Sequence, residues 1–207
     1  MKKIAKLLTG IILIASGFIA CEEDDTLVAS KSQLKHDPNK TIMQYLEDSN
    51  ECDSVVRMIK VAELENTLNQ GELTMFVPTN ESVISYMYVK GIKSLSELTK
   101  DQAADLVKMY VIAEKIPFKL SEVDAKTKYE NLKGDHMLVT FAKDTWNSVN
   151  GQGPLYTSVT YVFDEANDKK NKKEVVRTNN IELKNGIAYI LKSNHVLSFI
   201  DMLEHNE

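Results

Sequence analysis

Apolar positions along this chain recur at helical spacing in its first half and in short β-prone runs in its second. In residues 41–48, Ile42, Tyr45 and Leu46 stand at i, i+3 and i+4, which predicts a short amphipathic helix. Asp53 is placed to cap a second helix with Val55, Val56 and Ile59 inward. Leu64 and Leu68 continue as a third short turn that ends at Gly71. Residues 73–77 form an apolar run long enough for a buried strand. Pro78 has no backbone donor and stops that strand. Thr79 or Asn80 can cap the helix that follows, with Glu81 in its positively polarised first turn. Val83, Ile84 and Met87 then give a helix over 80–90 its apolar face, and Gly91 closes it.

A short turn at 94–98 leads to a stronger helix over 100–110, whose apolar set is Ala103, Leu106, Val107 and Tyr110. Residues 111–113 read as a strand, ended by Ile116-Pro117, and 136–141 as another. The most β-prone segment is 155–163. Its Tyr156, Val159, Tyr161 and Phe163 do not follow one strict alternation, so either both faces are partly covered or a bulge lies near Ser158. Residues 164–173 are a mixed-charge hairpin tip that reads as a solvated loop. Asp164, Glu165 and Asp168 suggest a partner-facing or calcium-binding alternative, but the lysines that follow oppose a cation and the EF-hand spacing is absent. Two further strands, 174–183 and 187–191, are joined through Lys184-Asn185-Gly186, where Asn-Gly offers the positive φ angles of a tight turn. A short apolar segment, 196–203, closes the pattern.

The strand–turn–helix stretch at 74–83 resembles the first signature of the fasciclin (FAS1) domain, with Thr74, Phe76, Pro78, Thr79, Asn80 and Val83 matching in order. Residues 106–112 resemble the family's middle motif. Met109 stands at its Tyr position and Tyr110 at its His position. The turn at 129–134, ending at Gly134, resembles the family's Y-x-T-L-x-G, with Asn131 in place of Thr. Asn185 and Gly186 match the closing motif, where Tyr189 again replaces His. At Tyr110 a tyrosine keeps a ring for the core and a hydroxyl for a backbone carbonyl, but any role needing imidazole is disfavoured there. The resemblance implies an α+β fold, a fasciclin-like β-sandwich wedge of about seven strands with several short helices packed around it. It spans roughly 41–203, and the 147–178 region is longer than usual for the family.

The N-terminus reads as a targeting segment. Lys2, Lys3 and Lys6 precede an apolar run over 7–20 that is short for a membrane span. Ala20-Cys21 resembles the lipobox of bacterial lipoproteins, with Phe18 where Leu is usual. Residues 1–20 are thus expected to be a signal peptide and Cys21 the lipidated first residue. Several acyl chains would anchor the protein to a membrane without spanning it. The acidic run at 22–25 resembles the export signal of surface lipoproteins in Bacteroides-group bacteria. Residues 21–38 then read as a flexible tether, and 39–207, about 170 residues, as a single domain with a sizeable core.

Charge and chemistry narrow the function. Loss of 1–20 removes three lysines and no acid, taking the net charge from −5 to −8. That excess disfavours nucleic acid and anionic lipid as direct ligands. With Cys21 lipidated, Cys52 stands alone, so no internal disulfide forms, and an inert buried thiol is the expectation. His36, His136, His195 and His205 show no metal-ligand spacing, and no nucleophile elbow or phosphate loop occurs. No catalytic residue, metal or cofactor is expected. The resemblance implies a non-enzymatic adhesion or interaction module, tethered to the outer membrane at the cell surface, with a protein partner such as a SusC/SusD-like uptake complex. The alternative is a glycan-binding accessory lipoprotein, whose candidate ligand contacts are Trp146, Tyr156 and Tyr161.

Overall fold

The computed structural model describes residues 36–144 and 153–199. Thr41 opens α1 (Ile42–Glu47) with a reciprocal capping box: its side chain accepts from Gln44 N while its own N–H donates to Gln44 Oε1. Next come α2 (Asp53–Val61), α3 (Glu65–Asn69) and the fully buried strand β1 (Leu73–Val77). Asp53 is the first helical residue of α2 rather than its cap. The cap comes from elsewhere: Asn80 Oδ1 accepts from Ser54 N at 2.8 Å, and Asn80 Nδ2 donates to Asn50 O at 2.8 Å. Asn80 therefore spends its side chain on α2 while standing at the start of α4 (Asn80–Lys90). Helix α4 ends at Gly91 in the left-handed region, as expected. Its inward apolar residues are Val83, Val89 and the half-buried Met87; Ile84, assigned inward by its spacing, is exposed.

Helix α5 (Lys100–Lys108) starts on a second capping box, Thr99 with Gln102. It ends two residues before Tyr110, which leaves Tyr110 in the turn to β2 (Val111–Ile112). Strands β3 (Lys126–Glu130), β4 (His136–Lys143), β5 (Leu155–Val162), β6 (Lys172–Leu183) and β7 (Gly186–Leu191) complete the fold. Strand β3 has no apolar alternation and was not legible in the pattern.

The strand order is β2-β1-β7-β6-β5-β4-β3 in a seven-stranded sheet, and every neighbouring pair is antiparallel except β1–β7, which is parallel. Strand β6 converts this one sheet into two facing halves. Its first part pairs with β5 and its last part with β7, with register shifts between Val176 and Thr178 and between Thr178 and Ile181. Bulges sharpen twist and bend a strand, so the sheet curls there. The outer strands come together at the far side, where Ile112 bridges Asn131 and Leu132 N donates to Val111 O. The bulges thus fall on β6 and not near Ser158; Thr157, Ser158 and Val159 are all buried because both faces of β5 are covered there.

The β6–β7 turn differs from the Asn-Gly expectation. Neither Asn185 nor Gly186 has a positive φ. Gly186 is needed for close approach: an added Cβ would lie 2.1 Å from the backbone oxygen of Leu73. Asn185 is a clamp. Its Oδ1 accepts from Ile42 N at 2.9 Å, its Nδ2 donates to Leu68 O at 2.9 Å, and its backbone oxygen accepts from Leu73 N at 3.1 Å. One residue therefore joins the start of α1, the end of α3 and the start of β1 to the sheet. The core continues through Phe76 and Tyr189, whose rings stack at 5.2 Å between centroids.

Candidate functional site

The signature residues lie inside the domain and bond to it. Thr74 is buried on β1; its hydroxyl donates to Glu114 O at 2.7 Å and accepts from Ile116 N at 2.8 Å, which fixes the chain after β2. Pro78 ends β1, and Thr79 sits buried at the cap position of α4 beside Ser82. The buried Tyr189 hydroxyl donates to the backbone oxygen Ile116 O at 2.8 Å. Burial raises the phenol pKa of Tyr189 and of Tyr110, so both are neutral hydrogen-bonding groups at any ordinary pH. In the turn after β3, Asn131 donates to Met109 O and accepts from Lys133 N and Asp135 N, and Gly134 adopts φ +92°.

Tyr110 has a different partner from the one anticipated. Ser198 N donates to its oxygen at 2.9 Å, so its own proton is free to go to His195 Nε2 at 2.7 Å. That assignment puts the other imidazole proton on Nδ1. Nδ1 lies 3.3 Å from Glu174 Oε1, within ion-pair reach but without hydrogen-bond alignment. His195 is 1% exposed and packs edge-on to Tyr110, with Phe199 stacked on the tyrosine at 5.1 Å. The Tyr110–His195–Glu174 chain pins the last described residues to the core. No local spacing announced it, because Tyr110 and His195 are 85 residues apart.

The three candidate ligand contacts separate. Trp146 lies outside the described residues, as does Cys21. Tyr161 is buried, 4% exposed, and its hydroxyl donates to Asp135, so it is a core residue and presents no ring to a ligand. Tyr156 is half-buried on β5, with the Lys173 ammonium 5.7 Å from its ring centroid. It lines a shallow cleft with Asp144, Pro154, Val175 and Lys192.

Among the described residues no group of three His, Cys, Asp or Glu side chains is placed to hold a metal ion. Cys52 is buried, and burial raises its thiol pKa, which leaves it a poor nucleophile. Asp135 has the opposite tendency. Burial pushes its pKa up, but the Tyr161 hydroxyl and the Lys133 ammonium outweigh that and hold it below the usual carboxylate value. A depressed folded-state pKa contributes stability above the unfolded pKa, and that contribution is lost as pH falls through the folded one. Acidification from pH 6 through the ordinary carboxylate range should therefore destabilise the native chain more than Tyr161→Phe, by under about 1 kcal/mol for so exposed a group. Urea titrations of both proteins at pH 6 and pH 3 check the difference.

The loop between β5 and β6 is ordered by its own side chains. Asn171 Oδ1 accepts from the N–H groups of Phe163 and Asp164, and Lys170 pairs with Asp164 at 3.1 Å. Glu165 bridges Lys128 at 2.8 Å and His136 at 2.6 Å, and Lys128 is the main cause of its lowered pKa. Phe163 opens this loop with half of its surface exposed, 50%.

The family model for the Fasciclin domain matches residues 50–197, and the chain belongs to that family. Among solved structures, it is similar to a FAS1 domain pair from the insect cell adhesion molecule Fasciclin I, at 13% identity and a TM-score of 0.52. The match covers 74% of this chain and 50% of that one, so the chain spans about half the length of the domain pair. At that identity the likeness shows the fold alone. No curated protein matches the chain.

Proposed function

We propose that this protein is a non-enzymatic interaction module, held at the outer membrane by lipid on Cys21 and presenting one end of a rigid fasciclin domain to a protein partner. Fasciclin domains are adhesion and interaction modules, and here the signature side chains are consumed by the fold, which leaves recognition to the surface. The observation that carries the reading is the position of the β5–β6 loop relative to the tether. The described chain enters beside the end of β6, where Asp37 N donates to Glu182 O and Asp37 bridges Leu183. The loop lies at the other end of the same strand, twelve residues away. At about 3.3 Å per residue that is at most about 40 Å of strand, shortened by the bend at its two register shifts. An exposed Phe163 beside a braced, charged loop is the composition of a contact patch: an aromatic anchor with a polar rim.

A tether shorter than twenty residues raises the domain's effective concentration for neighbours in the same membrane, which suits a weak contact with an uptake complex of the SusC/SusD type. The test is co-purification from detergent-solubilised outer membrane with Cys21 intact. A stoichiometric membrane partner should come down with the native chain and fall at least about tenfold with Phe163→Ser, the usual effect of truncating an interface anchor. Equal recovery with both proteins would refute the loop as the contact.

A further inference from the structure

The outer face of the sheet at β5 and β6 carries a second feature, separate from the loop. Tyr156 and Ser158, two apart on β5, share one face, and Ser158 pairs with Val175. Lys173 is paired with Thr160, yet its ammonium reaches the Tyr156 ring, four residues back along β5. Its stem therefore runs along this face across position 158. Ser158 is 0% exposed, and its hydroxyl has no hydrogen-bond partner. Beside it the cleft, about 350 Å³, has Tyr156, Pro154 and Val175 as its apolar wall. Lys192 stands on its rim, exposed, and neither Lys192 nor Lys173 joins an ion pair among the described residues. Asp144 also lines the cleft.

We propose that this cleft binds one acidic sugar residue of a polysaccharide. The anionic substituent, a carboxylate or a sulfate, sits between the Lys173 and Lys192 ammonium groups, and the pyranose C–H face lies against Tyr156 and Val175. Each element of the site selects part of that ligand. The Lys173 and Lys192 ammonium groups outnumber the one carboxylate of the cleft, Asp144, a local exception on a chain of net charge −5 that favours an anion. The aromatic and aliphatic wall suits an apolar sugar face. The volume suits one ring better than an extended peptide, which needs a longer groove or a free strand edge. The site is independent of the protein contact proposed above: its residues lie on the sheet face, not in the 163–171 loop.

The test uses the full chain and isothermal titration with three probes: trigalacturonate, a sulfated chondroitin hexasaccharide and neutral maltotriose. Trigalacturonate, the sulfated oligosaccharide or both should bind, with affinity falling as salt rises, while maltotriose should bind at least about tenfold more weakly, the scale of one hydrogen bond to a charged group. Lys173→Met with Lys192→Met together should remove that preference by a similar factor while leaving the melting temperature unchanged, because both ammonium groups are exposed. Tyr156→Ala should weaken acidic and neutral probes alike. Three results overturn the proposal: equal binding of acidic and neutral probes, no binding of either, or an unchanged preference in the double-lysine variant. A hepta-glutamate peptide that binds as well as trigalacturonate would also overturn it, by showing an electrostatic patch without sugar recognition. Phe163→Ser should leave every titration unchanged, which separates failure here from failure of the protein-contact reading.

Discussion

Gly186→Ala should lower stability by about 4 kcal/mol or more and the melting temperature by roughly 10 °C or more. The backbone angle is not the reason, because φ at Gly186 is ordinary. A methyl group there would meet the Leu73 backbone oxygen at 2.1 Å and its carbonyl carbon at 2.9 Å. Side-chain movement relieves only the third contact, Ile42 Cδ1 at 2.9 Å. The rest requires β1 to move off β7, and those strands are in register over five pairs from Leu73–Gly186 to Val77–Ile190. Opening that register also disturbs the Phe76–Tyr189 stack and the Asn185 clamp. Gly91→Ala is the control: nothing lies within 4 Å of the added carbon, so only the left-handed φ of +67° acts against it, at about 1 kcal/mol. Thermal melts of the two variants side by side should differ several-fold in effect; equal losses would show that the close approach is not what Gly186 provides.

Tyr110→Phe should lose about 3 kcal/mol, although it keeps the ring and its stacking on Phe199. The deleted oxygen serves two groups. Without it, His195 Nε2 loses its donor and Ser198 N loses its acceptor, and His195 is buried away from solvent. Stranded polar groups of this kind cost about 1–3 kcal/mol each. Tyr189→Phe strands only the Ile116 carbonyl and should cost about 1 kcal/mol. Urea denaturation ranks the two. Hydrogen exchange adds a signature that a general loss of packing would not give: protection should fall first at Ser198 and Phe199 in the Tyr110 variant, and not in the Tyr189 variant.

The sequence carried the fold wherever a residue's neighbours in the chain are also its neighbours in space. The strand–Pro–Thr–Asn–helix stretch, the helix start at Lys100 and the Gly91 stop are all local events, and the structure has them where the pattern put them. Long-range pairing was not legible. Thr79 or Asn80 was read as the cap of α4; Thr79 holds that position, and Asn80 caps α2 instead, because a free amide bonds to whichever helix end lies closest in the folded chain. Gly186 was read as a turn residue, yet its role is set by Leu73, on another strand. Strand β3 is read from its pairing with β4, not from its own exposed Lys-Thr-Lys-Tyr-Glu. For the site, Tyr156 and Tyr161 were candidate contacts alike; Tyr156 is half-buried on β5 while Tyr161, five residues on, points inward, and pattern ambiguity at Ser158 concealed which side each ring takes. Lys173 and Lys192 drew no notice because each is an ordinary surface lysine until the sheet brings Lys192 to the cleft and the Lys173 ammonium to the Tyr156 ring on its wall.

The central claim, that the loop far from the tether meets a protein partner, is tested most directly by photo-crosslinking in living cells. A photoreactive amino acid in place of Phe163, and separately in place of the exposed Lys90 on α4, probes two surfaces of the same anchored protein. The account predicts one discrete high-mass adduct from position 163, absent without irradiation, and none from position 90. Adducts from position 90 with none from 163 would contradict it and move the contact to the helical end of the domain.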